Sequence, residues 1–377
     1  MTDLQPTTVP GFRADQLEGF RIGVTSDRRA EDLIDALERR GATVVHAPTL
    51  RIAHSQHDDQ LITDTREVIA RRPDVLLATT SYGIRRWFEV SDAAGLGEAL
   101  VDALGETAIL VRGPKARGAI RAAGLNDVGM SDEETTASLV TRAIALFPEP
   151  KTVAVQLHGY TDEKQLQRLR RAGHTVLTVA PYRWLKPDEN DERVHRLLDL
   201  IVTSQLDAVT FTSAPAVDAL FGAAQFLGCY DEVIDAFRHE VLAAAVGPVT
   251  AAPLIAVGIE PIQPDRYRMG ALIRLVCEHL ETHAISTVDT RHGRVSLRGC
   301  VVERDGSRTA LPPAALALFR TLMAAKGAVV PRANLAAGLP GAVDDHALEV
   351  ALSRLRQLLA VPGLVQTVIK RGYRIDV

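Results

Sequence analysis

Residues 21–51, RIGVTSDRRAEDLIDALERRGATVVHAPTLR, read as a strand, a loop, an amphipathic helix, a glycine stop, a second strand and a closing proline. Residues 151–183, KTVAVQLHGYTDEKQLQRLRRAGHTVLTVAPYR, repeat that order. Further along, LLATTSYGIRRW (76–87) matches VTFTSAPAVDAL (209–220), with Ser81 and Ser213 in step. VRGPKARGAIRAAGL (111–125) then matches AAVGPVTAAPLIAVGI (244–259), with Gly113-Pro114 and Gly247-Pro248 in step. Three blocks recur in order at an offset of about 130 residues, which marks an internal duplication.

Short apolar runs such as VLLATT (75–80) and AVTFTS (208–213) alternate with helical segments, the pattern of βαβ units on parallel sheets. Ligands of open α/β sheets bind beyond the carboxyl ends of the strands, so the cleft between two such lobes is the expected site. Thr79, Thr80, Ser81, Thr212 and Ser213 are hydroxyls at strand-to-helix turns. Each has two readings: a helix cap, or part of an anion site built from its hydroxyl and the free N–H groups of the turn. Such turns in both repeats, together with Lys115 and Arg117 in GPKARG, favour the anion site. No GxSxG elbow, Walker loop or GxGxxG follows a strand, which argues against a serine hydrolase, an NTPase and a dinucleotide enzyme.

FTSAPAV (211–217), AAVGPVTAAPLIAVGIEP (244–261) and RYRMGALIRLV (266–276) resemble the second half of uroporphyrinogen-III synthase, which cyclises hydroxymethylbilane with inversion of one pyrrole ring. The likeness runs over roughly residues 20–285. It implies two flavodoxin-like lobes with parallel sheets, one of about 20–48 with 185–285 and the other of about 52–180, joined by a two-strand connection. By the same resemblance Tyr182 in APYRW stands where a tyrosine assists departure of the substrate hydroxyl, and Thr250 is the threonine of the GPxTA turn. A substrate rich in carboxylates then gives Thr80, Ser81, Thr212, Ser213, Gly247, Lys115 and Arg117 a ligand-binding role.

A length of 377 residues suggests two or three domains, and 46% apolar with 24% charged residues is globular composition. Cys229, Cys277 and Cys300 are too scattered for a disulfide framework or a CxxC motif. His279 and His283 have helical spacing but no third ligand in register, so neither a metal nor a cofactor is expected. No apolar run is long enough to span a bilayer, and the N-terminal stretch lacks a basic start followed by an apolar run, so no membrane is expected and the cytoplasm is the expected compartment.

Charge divides the chain in two. Residues 288–377 hold 13 Lys and Arg against 7 Asp and Glu, a net of +6, whereas the remainder carries −10. A basic module on an acidic body points to a polyanion partner for the module alone. Within it, DDHALEVALSRLRQLL (344–359) places Leu348, Leu352, Leu355 and Leu359 on one helical face. His346, Ser353, Arg354, Arg356 and Gln357 are left for outside contacts, and VIKRGYRIDV closes the chain as a basic hairpin. VVPRANL, LEVALSRLRQLL and QTVIKRGYRI resemble the DNA-binding domain of response regulators of the OmpR and PhoB type. That likeness implies a winged helix-turn-helix over 288–377, after a synthase-like body over 1–287. The third helix would enter the major groove of double-stranded DNA, with His346 and Arg354 at base-reading positions and Arg356 near phosphate. Ile369 stands where the family often has the wing arginine, with Lys370 and Arg371 just after it.

A phosphorelay receiver is not expected, because only Asp27 directly follows the first strand and the duplicated body is twice too long. Two functions remain. One is a transcription regulator, homo-oligomeric on DNA, whose body senses a tetrapyrrole or other small anion or docks a second regulator. The other is a working synthase with a DNA-binding appendage. Similar fusions in actinobacteria resemble regulators of nitrate and nitrite assimilation, and the appendage favours regulation with any synthase activity vestigial.

Overall fold

The computed structural model describes residues 13–53, 58–159, 161–185, 191–339 and 345–377. In the first half of the chain they form β1 (Arg21–Val24), α1 (Ala30–Glu38), β2 (Thr43–His46), β3 (Arg51–Ala53), α2 (Asp58–Arg71), β4 (Val75–Ala78), α3 (Ser81–Ala93), α4 (Gly97–Leu104), β5 (Ala108–Val111), α5 (Pro114–Ala122), β6 (Asp127–Met130), α6 (Thr136–Leu146), β7 (Thr152–Gln156), α7 (Glu163–Arg171), β8 (Thr175–Val179) and β9 (Arg183–Leu185). The second half adds α8 (Glu192–Val202), β10 (Ala208–Phe211), α9 (Ala214–Phe226), α10 (Tyr230–His239), β11 (Leu242–Ala245), α11 (Pro248–Ala256) and α12 (Met269–His283). The chain ends with β12 (Ile285–Thr290), β13 (Gly293–Arg298), β14 (Val301–Arg304), β15 (Ser307–Ala310), α13 (Pro313–Ala324), α14 (Arg332–Ala337), α15 (Asp345–Leu359), β16 (Val365–Val368) and β17 (Gly372–Ile375).

Two compact units divide these elements, one taking Met1–Leu50 with Pro187–Val377 and the other Arg51–Lys186. In the second, a parallel sheet runs in the order β6-β5-β4-β7-β8. Val75, Leu76, Leu77 and Ala78 of β4 are all buried, because helices cover both faces. Leu76 and Ala78 join Trp87, Leu100 and Ile120 on one face, and Val75 and Leu77 join Leu139, Val140 and Leu169 on the other. Buried Trp87 donates its indole N–H to Thr65 Oγ1 at 2.9 Å. The chain enters and leaves this unit along the antiparallel pair β3–β9, with Ile52 opposite Trp184.

The other unit holds a second parallel sheet, β11-β10-β1-β2, assembled from segments far apart in sequence, with Ile22 paired to Ala208. Ile22 and Val24 pack with Leu33, Leu37, Leu272 and Val276, whereas Val209 and Phe211 face Leu197, Val217, Leu220 and Phe237. Helices therefore again cover both sides.

The same unit carries the C-terminal module, a four-stranded antiparallel sheet β12-β13-β14-β15 followed by three helices and the β16–β17 hairpin. The apolar stripe of α15 packs as its spacing predicts: Leu348, Leu352, Leu355 and Leu359 are buried with Phe319, Leu322, Leu335, Tyr373 and Ile375. Ala284 alone separates α12 from β12, so a cut at 287/288 would fall inside the first strand of the sheet. Gly19 O accepts the Cys300 N–H at 2.9 Å. Both Gly19 (φ 89°) and Gly299 (φ 54°) are left-handed, and a Cβ on either would stand 2.5 Å or less from backbone of the other segment. Only glycine admits that approach. Charge completes the docking: Arg308 pairs with Glu18, the Arg298 guanidinium donates to Gln16 O at 2.5 Å, and Arg320 donates to Asp207 at 3.1 Å and Ser204 O at 3.0 Å. Asp207 also accepts the Arg21 N–H at 2.7 Å, and burial raises its pKa against these favourable contacts.

Candidate anion site and nucleic-acid interface

In the unit of residues 51–186 the strand order reverses between β4 and β7, the position at which open α/β sheets hold ligands. Gln156, fully buried at the end of β7, fills that point. Its Oε1 accepts the backbone N–H groups of Thr79 at 3.1 Å and Thr80 at 2.9 Å, and Thr79 Oγ1 donates to Gln156 O at 2.7 Å. Thr80 caps α3, its Oγ1 accepting the Gly83 N–H at 3.1 Å. The cap reading therefore holds at Thr80, and a side chain of the protein already occupies two turn amides. Ser81 follows, half-buried, as the first residue of α3.

Tyr182 is 3% exposed. Its ring meets Tyr82 edge-on at 5.0 Å and Trp184 at 5.8 Å, and its hydroxyl lies 3.5 Å from Thr80 Oγ1. These packed rings aim the phenol at the start of α3. Lys115 is exposed in the first turn of α5. Arg117 is instead turned to Asp127, with contacts of 2.8 to 3.1 Å that staple α5 to β6, so its charge is neutralised within the fold.

His158, just beyond β7, gives no sequence signal, yet its pKa is lowered to about 4, first by burial and second by the Arg112 charge. The ring therefore stays neutral at pH 7. An unfolded chain takes up this proton near pH 6.5, whereas the folded one does so only near pH 4, so stability falls as pH drops between those values. Allowing for the partial exposure of the ring, the loss is expected to be roughly 1 to 2 kcal/mol. Urea unfolding at pH 7 and pH 4.5 checks it, and His158→Gln should remove that part of the acid sensitivity.

The first unit repeats the design with different side chains. At its own reversal, between β1 and β10, Thr25 Oγ1 donates to Thr210 O at 2.8 Å and Thr210 Oγ1 to Gly23 O at 3.1 Å. Thr212 and Ser213 are half-buried at the turn into α9, where Ser213 is an extended N-cap without a side-chain cap bond. Gly247 is the buried N-cap of α11, and a Cβ there would come within 2.9 Å of the Tyr267 ring. Thr250 is buried three residues on. Ser26 lies one repeat offset, about 130 residues, before Gln156. It is 5% exposed, and its Oγ has no hydrogen-bond partner among the described residues. Where the long amide of Gln156 closes its own turn, the short hydroxyl of Ser26 leaves one polar atom unused.

On the C-terminal module His346, Ser353, Arg354 and Gln357 are exposed along α15. Arg356 is not: it donates to Val365 O at 3.0 Å and Thr367 Oγ1 at 2.9 Å, and its guanidinium lies 5.6 Å from the Tyr373 ring. It braces the helix against the hairpin. Tyr373, 1% exposed, donates its O–H to Glu349 at 2.5 Å, and Arg332 stands over the ring at 5.7 Å. At the hairpin tip Lys370 (φ 60°) and Arg371 are exposed beside Ile369, itself 81% exposed. The outward cations of this face are thus Arg354, Lys370 and Arg371.

A duplicated α/β body with hydroxyl-lined strand ends, docked to a winged helix-turn-helix with a basic outer face, defines a DNA-binding transcription regulator of composite build. Residues 306–375 match the family model described as "Transcriptional regulatory protein, C terminal", and residues 31–274 match "Uroporphyrinogen-III synthase HemD". The chain belongs to the uroporphyrinogen-III synthase HemD family, and its C-terminal module is of the OmpR and PhoB type. The Bacillus subtilis protein YjjA is 30% identical over 269 residues, covering 70% of this chain and 97% of that protein. A putative uroporphyrinogen-III synthase of Methanothermobacter thermautotrophicus is 27% identical over 248 residues, covering 65% and 92%. The crystal structure of a mutant uroporphyrinogen III synthase from the extremely thermophilic bacterium Thermus thermophilus superposes with a TM-score of 0.60 at 28% identity, covering 70% of this chain and all of that one. No described helix is long and apolar enough to cross a membrane.

Proposed function

We propose that the protein controls transcription in the cytoplasm by binding operator DNA, as a homo-oligomer, through α15 and the wing, and that its synthase-like body senses a small carboxylate-rich anion. The observation that carries this reading is the docked attachment: the single linker residue Ala284, the Gly19–Cys300 bond and the Arg320–Asp207 pair join the reading head directly to the sheet whose strand ends would hold the ligand. A tetrapyrrole fits the sensing role by family, and the resemblance to actinobacterial fusions supports genes of nitrate and nitrite assimilation as targets, with a second regulator as partner. We assign ligand contacts to Thr212, Ser213 and Gly247 in the unit that carries the reading head, and to Ser81 and Lys115 in the other unit.

Coupling between ligand and operator is a free energy shared by both, so it must be reciprocal. The ligand is expected to shift operator affinity about tenfold, and operator DNA to shift ligand affinity by the same factor. Titrating hydroxymethylbilane-derived tetrapyrroles against labelled operator tests it, with Ser213→Ala weakening the ligand alone. Ligand binding without any change in operator affinity would refute the sensor.

A second reading rests on Tyr182 and Thr250, which retain the residue types that the synthase resemblance assigns to catalysis, with the phenol 3.5 Å from Thr80 Oγ1. Formation of uroporphyrinogen III from hydroxymethylbilane, lost in Tyr182→Phe, would make the body a working enzyme.

A further inference from the structure

The most exposed large apolar side chain among the described residues lies at the tip of the wing. Ile369 is 81% exposed, ahead of Val128 at 61% and Phe226 at 58%. It sits on a tight turn, closed by the Arg371 N–H donating to Val368 O at 2.9 Å, with Lys370 held at φ 60°. The turn is rigidly mounted. Arg356 bonds to the backbone of Val365 and the hydroxyl of Thr367 on one strand, and Tyr373 on the other is buried against Glu349 and two guanidinium groups. An isoleucine fixed at a projecting tip and followed at once by two exposed cations has an unusual chemistry. Its neighbours attract phosphate, whereas the side chain itself offers no hydrogen bond to a base edge.

We propose that Ile369 is an apolar wedge. It enters the minor groove of operator DNA, partly unstacks one base step, and is held there by Lys370 and Arg371 on the flanking phosphates. This deepens the DNA-binding reading above and rests on it. Inserted isoleucine, leucine or phenylalanine side chains kink a duplex by roughly 20 to 90° toward the major groove. Pyrimidine–purine steps unstack most readily, so the wing selects a deformable step instead of the narrow, stiff A-tract that a groove-inserted arginine favours. The two charges make DNA the fitting occupant: an apolar partner surface would have to desolvate both cations, whereas a phosphate backbone pairs them.

The test uses the full chain and a duplex enriched by it from a random-sequence library. 2-Aminopurine is placed in turn at each base step of the flank adjoining the major-groove contacts. Wild-type protein is expected to raise the fluorescence at a single pyrimidine–purine step. Ile369→Ala should abolish that rise and lower affinity about tenfold, while circular dichroism shows the fold intact. Ile369→Arg should regain affinity without the rise and move the preference to an A-tract flank. Binding of wild type with no fluorescence change at any step overturns the wedge, as does an Ile369→Ala protein with unchanged affinity and step preference. Ile369→Ala that dissociates an oligomer in sedimentation without DNA also overturns it and assigns the tip to a second copy. If the full chain enriches no duplex at all, the DNA-binding reading has failed along with it. Enrichment that Arg354→Ala abolishes but Ile369→Ala leaves untouched sinks the wedge alone.

Discussion

Tyr373→Ala is expected to unfold the C-terminal module at physiological temperature and with it abolish DNA binding. The ring is 1% exposed, belongs to the cluster with Phe319, Leu348 and Leu352, and buttresses both Arg332 and Arg356. Truncating a core aromatic costs about 3 to 5 kcal/mol through lost burial and the cavity left behind, a large part of the stability of a module of this size. Tyr373→Phe keeps the ring and loses only the hydrogen bond to Glu349, itself partly exposed, for roughly 1 kcal/mol. Denaturant midpoints of the two variants separate these contributions. A Tyr373→Ala midpoint within experimental error of wild type would show that the wing is not part of the core.

Arg354→Ala is expected to weaken a specific site by about 1 to 3 kcal/mol, the worth of one bidentate base contact. Random-sequence DNA should scarcely register the change beyond the loss of one charge. Arg371→Ala should behave oppositely, weakening every sequence alike and flattening the salt dependence by about one ion. The contrast follows from placement: Arg354 is exposed on the outer face of α15, whereas Arg371 stands at the hairpin tip. Salt titrations on an enriched site and on random duplex read both effects, and equal losses on the two DNAs for Arg354→Ala would remove it from the base-reading set.

Much of this was legible in advance wherever the signal was periodic or repeated. The leucine spacing in α15 fixed its buried face, and the match of Ser81 with Ser213 pointed to the two strand-to-helix turns, where Ser213 is the N-cap of α9 and Ser81 the first residue of α3, one place beyond the N-cap Thr80. The net +6 was legible only in part. Arg298, Arg308 and Arg320 face Gln16, Glu18 and Asp207 of the body, so about a quarter of the basic count glues the module to its neighbour and is not offered to DNA. Arg117 and Arg356 show the same limit. A helical wheel says which side of a helix a charge occupies, but not that Asp127 or the Val365 carbonyl waits there. Gln156 was invisible for a different reason. Its partners Thr79 and Thr80 lie 77 and 76 residues away, and a lone amide ending an apolar strand has no period to betray it.

The single residue between α12 and β12 also bears on how promoters would have to be laid out. A reading head on a long tether leaves its cargo free to swing around the DNA axis. Here a one-residue linker, Ala284, and the Gly19–Gly299 approach seat the reading head against the adjoining sheet, so a bound protein that keeps this seating would carry that sheet at a set angle around the double helix. Any second regulator or polymerase surface that this body touches would then be met on one side of the DNA only. Displacing the operator by half a helical turn, about 5 base pairs, would carry the body to the opposite side. Operator position relative to a neighbouring site would therefore be inherited in whole turns, as a phase and not merely as a distance.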